Sequence, residues 1–184
     1  MFLKLMGIRD GRLRFIRAHV EDAQRALAAM DQNSLKNFAI FSKPVTLDDE
    51  RRYLERMEKS HVDHVYLIEH LDDGRLLGSI GLHELDEINR SARLGCMIYH
   101  PDDRGKGHGS HAIKLMLRAA FTRLDLHKIY VQILANHGGR ALDWWQRLGF
   151  TVEGTMREEY FLNDAWRDML RLSILRREWE APAK

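Results

Sequence analysis

Six consecutive residues carry the densest chemical signal in the chain: Arg104-Gly105-Lys106-Gly107-His108-Gly109. Three glycines at alternate positions let backbone N–H groups approach an anion closely, and Arg104 and Lys106 add full positive charges. The stretch stands where an alternating apolar segment, Arg93 to His100, gives way to a helical pattern of Ile113, Leu115, Met116, Leu117, Ala120 and Phe121. A helix N-terminus presents unpaired N–H groups and a partial positive charge. Together these features describe a seat for a phosphate or pyrophosphate. No Lys-Ser/Thr pair follows the last glycine, so this is no Walker loop. The spacing Gly-x-Gly-x-Gly also differs from the dinucleotide pattern Gly-x-Gly-x-x-Gly. The competing reading is a glycine-rich strand-to-helix turn that binds nothing.

Other reactive residue types have structural readings. Cys96 is the single cysteine. A nucleophilic thiolate needs a base to hold it, none is visible, and a buried strand thiol is expected. One cysteine excludes an internal disulfide framework and suits a reducing cytoplasm. The ten histidines form no metal set; His108-x-x-His111 is only a pair on one helical turn. Trp144 and Trp145 read as core packing. Asp48, Asp49 and Glu50 follow Thr46 in a first helical turn, where acids favour the helix dipole, so they are not read as an amine-binding cluster.

These residues need elements to hold them. At 184 residues, with 45% apolar and 30% charged side chains, residues 1–184 form one domain with a substantial core. The formal charge of +2 gives no case for nucleic acid or a membrane surface as partner. No stretch approaches a membrane span, and the N-terminus lacks a signal-peptide pattern. Residues 2–18 read as two short strands about Asp10-Gly11. A helix is expected over Val20–Ala29 and another from Thr46 to about Ser60. Strands over Val65–Leu71 and Leu76–Leu82 form a hairpin, followed by His83, Glu84, Leu85, Asp86 and Glu87. The strand at 93–100 pairs with that hairpin. Pro101, which lacks a ladder donor, ends it. Helix 107–123 and strand 128–135 make a crossover, so the strands on either side of that helix lie parallel. A short helix over 139–148 and strands near 151–161 and 166–175 finish the chain.

Two ordered blocks resemble the GCN5-related N-acetyltransferases (GNAT). Arg104-x-x-Gly107-x-Gly109, after Tyr99-His100-Pro101, is similar to the family's acetyl-CoA signature. His127-Lys128-Ile129-Tyr130-Val131, then Ala135-Asn136, a short helix and Leu148-Gly149-Phe150, resembles its next block. Leu13-Arg14-Phe15-Ile16-Arg17-Ala18, Val152–Glu158 and Asn163–Asp168 resemble the ribosomal-protein-alanine and spermidine N-acetyltransferase branches. The resemblance implies an α/β fold with a mixed, mostly antiparallel sheet of six or seven strands and about four helices. It also implies that two parallel strands splay to take the pantetheine arm.

The implied activity is acetyl-CoA-dependent N-acetylation of a primary amine in a ternary complex. The acceptor is a ribosomal-protein N-terminus, a polyamine or another small amine, and a homodimer is allowed. Backbone groups of Arg104, Gly105, Lys106, Gly107, His108 and Gly109 would hold the pyrophosphate. Asn136 would bond the pantetheine arm, and Tyr99 with the neighbouring strand would carry the thioester end. A strand N–H, from Met97 or Ile98, would stabilise the oxyanion. No metal is required. A base helps because amines are mostly protonated at pH 7. Glu84 is the favoured candidate, with burial expected to raise its pKa. Glu158 and His83 follow. The usual tyrosine acid is replaced by Trp145 and the alternative serine by Gly139, leaving Tyr130, Tyr160 and His137 as stand-ins. Phe38 and Phe41 are candidates to line the acceptor site. The alternative function is an acyl-CoA-binding or sensing module.

Overall fold

The computed structural model describes residue 5 and residues 7–35, 43–135 and 140–181. Phe38, Phe41, Asn136, His137 and Gly139 therefore lie outside the described residues. Seven strands form one sheet: β1 (Leu13–Arg17), β2 (His64–His70), β3 (Leu76–Asp86), β4 (Ser91–Ile98), β5 (Lys128–Leu134), β6 (Thr151–Leu162) and β7 (Ala165–Leu175). Their order across the sheet is β1-β2-β3-β4-β5-β7-β6. Every neighbouring pair is antiparallel except β4 and β5. Among the described residues, six α-helices accompany them: α1 (Ala23–Ala29), α2 (Gln32–Leu35), α3 (Leu47–Lys59), α4 (His108–Thr122), α5 (Arg140–Arg147) and α6 (Arg176–Glu180). Of the expected first hairpin, the described part is β1 and an isolated bridge between Arg9 and Arg14.

The apolar periodicities divide into two layers. Ala112, Ile113, Leu115, Met116, Leu117, Ala120 and Phe121 of α4 pack on Ala92, Leu94, Ile98, Ile129, Val131, Leu172 and Ile174. This is the larger core, and its helix is buried along most of its length. On the opposite face, Leu54 and Met57 of α3 and Ala23 and Ala26 of α1 meet Val65, Leu67 and Tyr99. Alternate strand residues face opposite sides, so each layer takes its own set.

Helix α3 begins as its residue types dictate. Thr46 accepts from Asp49 N, and the Asp49 carboxylate accepts from Thr46 N, a capping box. Glu50 departs from the helix-dipole reading. Its side chain turns inward with Leu54 and Met57 and is only 6% exposed. With no side-chain hydrogen bond among the described residues, burial pushes its carboxyl up to about 7.

The feature that matters for function is in the middle of the sheet. The β4–β5 ladder consists of Ser91–Lys128, Ala92–Ile129 and Arg93–Tyr130, and it stops there. Beyond Arg93, β4 continues to Ile98 paired only with β3, while β5 continues to Leu134 paired only with β7. The two strands form a fork whose apex is the Arg93–Tyr130 pair. The expected splay is present.

Candidate active site

The fork exposes half of the β4 backbone. Lys128 N donates to Arg90 O across to β5, whereas Tyr99 N donates to Leu77 O across to β3. Bonding directions alternate along a strand. Even-numbered residues of β4 therefore point toward β5, and Leu94, Cys96 and Ile98 turn their N–H groups into the gap. Met97 turns its own toward Ser79, its partner on β3. Of the two expected oxyanion donors, Ile98 has the right direction and Met97 does not. The N–H of Cys96 joins Ile98 in the fork. Its thiol is pushed up to about 12 by burial, which rules out a resting thiolate.

At the open end of the fork lies the glycine loop. Gly105 and Gly107 have φ of +74° and +87°, which L side chains rarely adopt, and no atom lies within 4 Å of where a Cβ would be. Both are exposed, and Gly107 is the N-cap of α4. The N–H groups of His108, Gly109 and Ser110 precede the first intrahelical bond, from His111 N to Gly107 O. The loop thus offers unfilled space beside unpaired donors, which fits a diphosphate. Lys106 is exposed beside it. Gly109 has a different reason for being small: a Cβ there would rest against Trp144 and Ile98 at 3.5 and 3.6 Å. Trp144 reaches from α5 to the same turn, donating Nε1–H to Ser110 Oγ at 2.8 Å.

Arg104 is used differently from the expected charge donor. Its Nε and Nη2 donate to Ile98 O at 3.0 and 2.9 Å, and Nη2 also donates to Tyr99 O at 3.1 Å. The guanidinium closes the end of β4 and holds the loop to it. Behind the loop, Asp103 is buried and bridged by Arg75 Nη1 at 2.8 Å to both oxygens. The His108 ring meets His70 edge-on at 5.7 Å. Tyr99 is buried in the α3 layer, so its contribution to the fork is its backbone.

At the apex stands Glu84. The β3–β4 register shifts between His83 and Asp86, and Glu84 takes a φ of 53° within that bulge. Strand β3 therefore runs on to Asp86 instead of ending at Leu82, and the bulge re-aims the carboxylate. Its Oε1 accepts from Arg93 Nε at 2.8 Å and its Oε2 from the Tyr130 hydroxyl at 2.5 Å. Burial works to raise its pKa, but these two donors outweigh it and hold the carboxyl below its ordinary value. The expected upward shift is thus reversed, and the reason is the paired donors. Burial and the Glu84 bond push Tyr130 up to about 12. The Arg171 guanidinium lies 3.9 Å from the centre of the Tyr130 ring.

The other candidates fall elsewhere. Glu158 sits exposed in a bulge of β6, two strands away from β5, with its N–H donated to Asp168. Trp145 is buried against Phe150 and Trp144, with ring centres 4.9 and 4.8 Å away. It fills the core, as its residue type suggests. Among the described residues, no group of three or more His, Cys, Asp or Glu is placed to hold a metal ion, and no helix is long and apolar enough to cross a membrane. The residue that sequence reasoning missed is Asp63. It bonds His83 Nδ1 at 3.0 Å from the loop between α3 and β2. Twenty positions separate the two, and only the β2–β3 pairing brings them together.

A forked parallel pair feeding a glycine loop at a helix N-terminus is a coenzyme-binding geometry, and sequence comparison places it. A profile of the acetyltransferase (GNAT) domain matches residues 12–151. The chain belongs to the GNAT acetyltransferase family. Acetyl-CoA is the donor that this family uses. A spermidine N(1)-acetyltransferase of Vibrio cholerae serotype O1 is 32% identical to the GNAT chain over 143 residues, 76% of this chain and 79% of that protein. A Bacillus subtilis (strain 168) protein named as a candidate ribosomal N-acetyltransferase is 36% identical over 111 residues, 60% of this chain. The match spans 59% of that relative's own length. In fold, the chain resembles a spermidine N-acetyltransferase from Vibrio cholerae solved with CoA and spermine. The TM-score is 0.81 at 23% identity, with 94% of this chain and all of that chain covered.

Proposed function

We propose that this GNAT chain transfers an acetyl group from acetyl-CoA to a primary amine, with both substrates bound at once. The observation that carries the reading is the fork. Its β4 edge turns three N–H groups into a gap that leads to the glycine loop. Bound there, acetyl-CoA would supply an acetyl thioester. The N–H groups of His108, Gly109 and Ser110, with the Gly105 and Gly107 backbone and Lys106, bind the diphosphate. Arg104 keeps that loop in register with β4. The β4 edge orients the pantetheine arm, and Asn136 is proposed to bond it. The N–H of Ile98 or Cys96 serves the thioester carbonyl. Tyr99 supports it through the backbone, and Met97 contributes its side-chain packing. Glu84, held as a carboxylate, attracts the acceptor's ammonium group to the apex.

The acceptor is a protein N-terminus, such as that of a ribosomal protein, or a small amine such as a polyamine. The names of the relatives support both classes. A polyamine site needs convergent free carboxylates. Here Glu84 is bonded to Arg93, and Asp86 accepts from Asn89 at 2.7 and 2.6 Å. That arrangement favours an acceptor with a single reacting amine. Action in the cytoplasm belongs to the same proposal and is supported by the lone free thiol. The second reading, an acyl-CoA-binding or sensing module, is favoured by one observation: tryptophan stands at the usual tyrosine position and is buried.

Thiol release from acetyl-CoA across N-terminal peptides, lysine peptides, polyamines and aminoglycosides decides between them. Release with one class establishes the transferase and its acceptor. Tight coenzyme binding without release supports the sensing module. In Glu84→Gln, the KM for the amine is expected to rise several-fold while coenzyme affinity holds. An unchanged KM removes Glu84 from the acceptor site.

A further inference from the structure

Gly81 of β3 stands directly across from Gly95 of β4. Leu94 belongs to the α4-side core and Cys96 packs against it, so Gly95 faces the opposite side, toward α3. The glycine pair leaves a bare patch of sheet, and the His83 ring lies over it. A Cβ on Gly81 would come within 2.9 Å of His83 Nε2, and one on Gly95 within 3.4 Å. Gly95 is in the stretch of β4 that has left the β5 ladder. The imidazole Nε2 therefore lies over the β3–β4 ladder beside the fork, on the sheet face opposite α4 and next in sequence to Glu84 at the apex.

The other ring nitrogen is held. Nδ1 lies 3.0 Å from Asp63 Oδ1. Asp63 Oδ2 accepts from Ser60 Oγ at 2.8 Å, and Asp63 N donates back to Ser60 Oγ at 3.0 Å. A carboxylate at Nδ1 keeps the ring proton there and leaves a lone pair on Nε2. Among the described residues, Nε2 makes no hydrogen bond of its own. From this geometry we propose that His83, oriented by Asp63, is the base that takes the proton from the acceptor amine.

The charges facing the ring are Asp63 from the loop before β2, His64 on β2, Glu84 beside it on β3, and Arg93 on β4. Burial and Arg93 lower its pKa, while Asp63 and Glu84 oppose them, and the net direction is down. The ring is thus neutral at pH 7, as a base must be. In the step itself, the bound ammonium first gives one proton to solvent; the amine lone pair then forms the N–C bond to the acyl carbon, and the C–S pair goes to sulfur. The N–H proton passes to Nε2, and the imidazolium returns it to the departing thiolate. Amine and thioester become amide and thiol with no net proton change. One group then serves as base and acid, which accounts for the missing tyrosine. The inference rests on the transferase reading above.

The test is steady-state kinetics from pH 5 to 9 with acetyl-CoA, using spermidine and an alanyl peptide as acceptors. His83→Gln is expected to lower kcat by about a hundredfold or more, to abolish the acid limb of the kcat profile below pH 6.5, and to leave the CoA dissociation constant at the wild-type value. His83→Phe keeps a ring over the glycine pair and should lose as much. Asp63→Asn should lose part of the rate. Imidazole NMR of the wild-type chain should show the Nδ1–H tautomer. Wild-type kcat in His83→Phe, or an Nε2–H tautomer, would overturn the base while leaving the transferase standing. No thiol release by the wild-type chain sinks the transferase, and the base with it.

Discussion

At the scale of single residues, three carboxylates show how environment outweighs residue type. Glu84 is partly exposed and kept charged by Arg93 and Tyr130. Asp63 is kept charged by Ser60 and His83 against the cost of burial. Glu50 is buried with no side-chain partner among the described residues, and its pKa rises to about 7. Linkage turns this into a prediction. Between the unfolded value near 4.5 and about 7, the folded chain binds more protons than the unfolded one. Stability contributed at this site is therefore present at pH 5 and lost as pH rises through 7. Glu50→Gln should stabilise the protein by roughly 2–3 kcal/mol at pH 8 and by little at pH 5. Urea denaturation at the two pH values measures it. Equal effects at both would show that Glu50 is paired after all. None of this was legible from the sequence, where Asp48, Asp49 and Glu50 look alike. The helix phase that turns Glu50 inward with Leu54 separates it from its neighbours, and that phase depends on where Thr46 starts the helix.

At the scale of elements, the glycine loop was the most legible part of the chain, because its function is written into backbone requirements. Gly107 must adopt a left-handed conformation, and open space must remain beside it. Gly107→Val should cost about 1–2 kcal/mol of stability and weaken CoA binding by tenfold or more, as measured by calorimetry. Wild-type affinity would show that the donors lie elsewhere. Strand and helix boundaries were also close to those read from periodicity, since α1, α3, α4 and every strand but β6 have buried positions. The bulge at Glu84 was not. A positive φ at a non-glycine residue leaves no mark in residue types. The pairing of Asp63 with His83 was hidden for the same kind of reason, because it arises from the register of two strands.

At the scale of the molecule, the sheet is two half-sheets. Strands β1 to β4 form one and β5 to β7 the other, joined by three residue pairs and by the layer under α4. The parallel crossover was expected from the chain order, but the place where its ladder stops could be expected only by resemblance. A coenzyme arm in the fork would join the halves. CoA at a hundred times its Kd adds about 2.7 kcal/mol by mass action, which for this length should raise Tm by about 5–10 °C. Amide exchange should slow most at Leu94, Cys96 and Ile98, whose N–H groups face the gap. Uniform slowing across the sheet would argue against binding in the fork.

The fork also has a consequence for the empty protein. Sheets are ordinarily vulnerable at their outer margins, where unpaired backbone groups can recruit a strand from another molecule. Here a margin of that kind runs through the interior, along Leu94 to Ile98, and the coenzyme would cover it. Any extended segment that can reach it, including one from a partly opened second copy, is a competitor for the same donors. The coenzyme would then also act as a guard against self-association. Light scattering at 37 °C should rise in the coenzyme-free protein and stay flat when CoA is present.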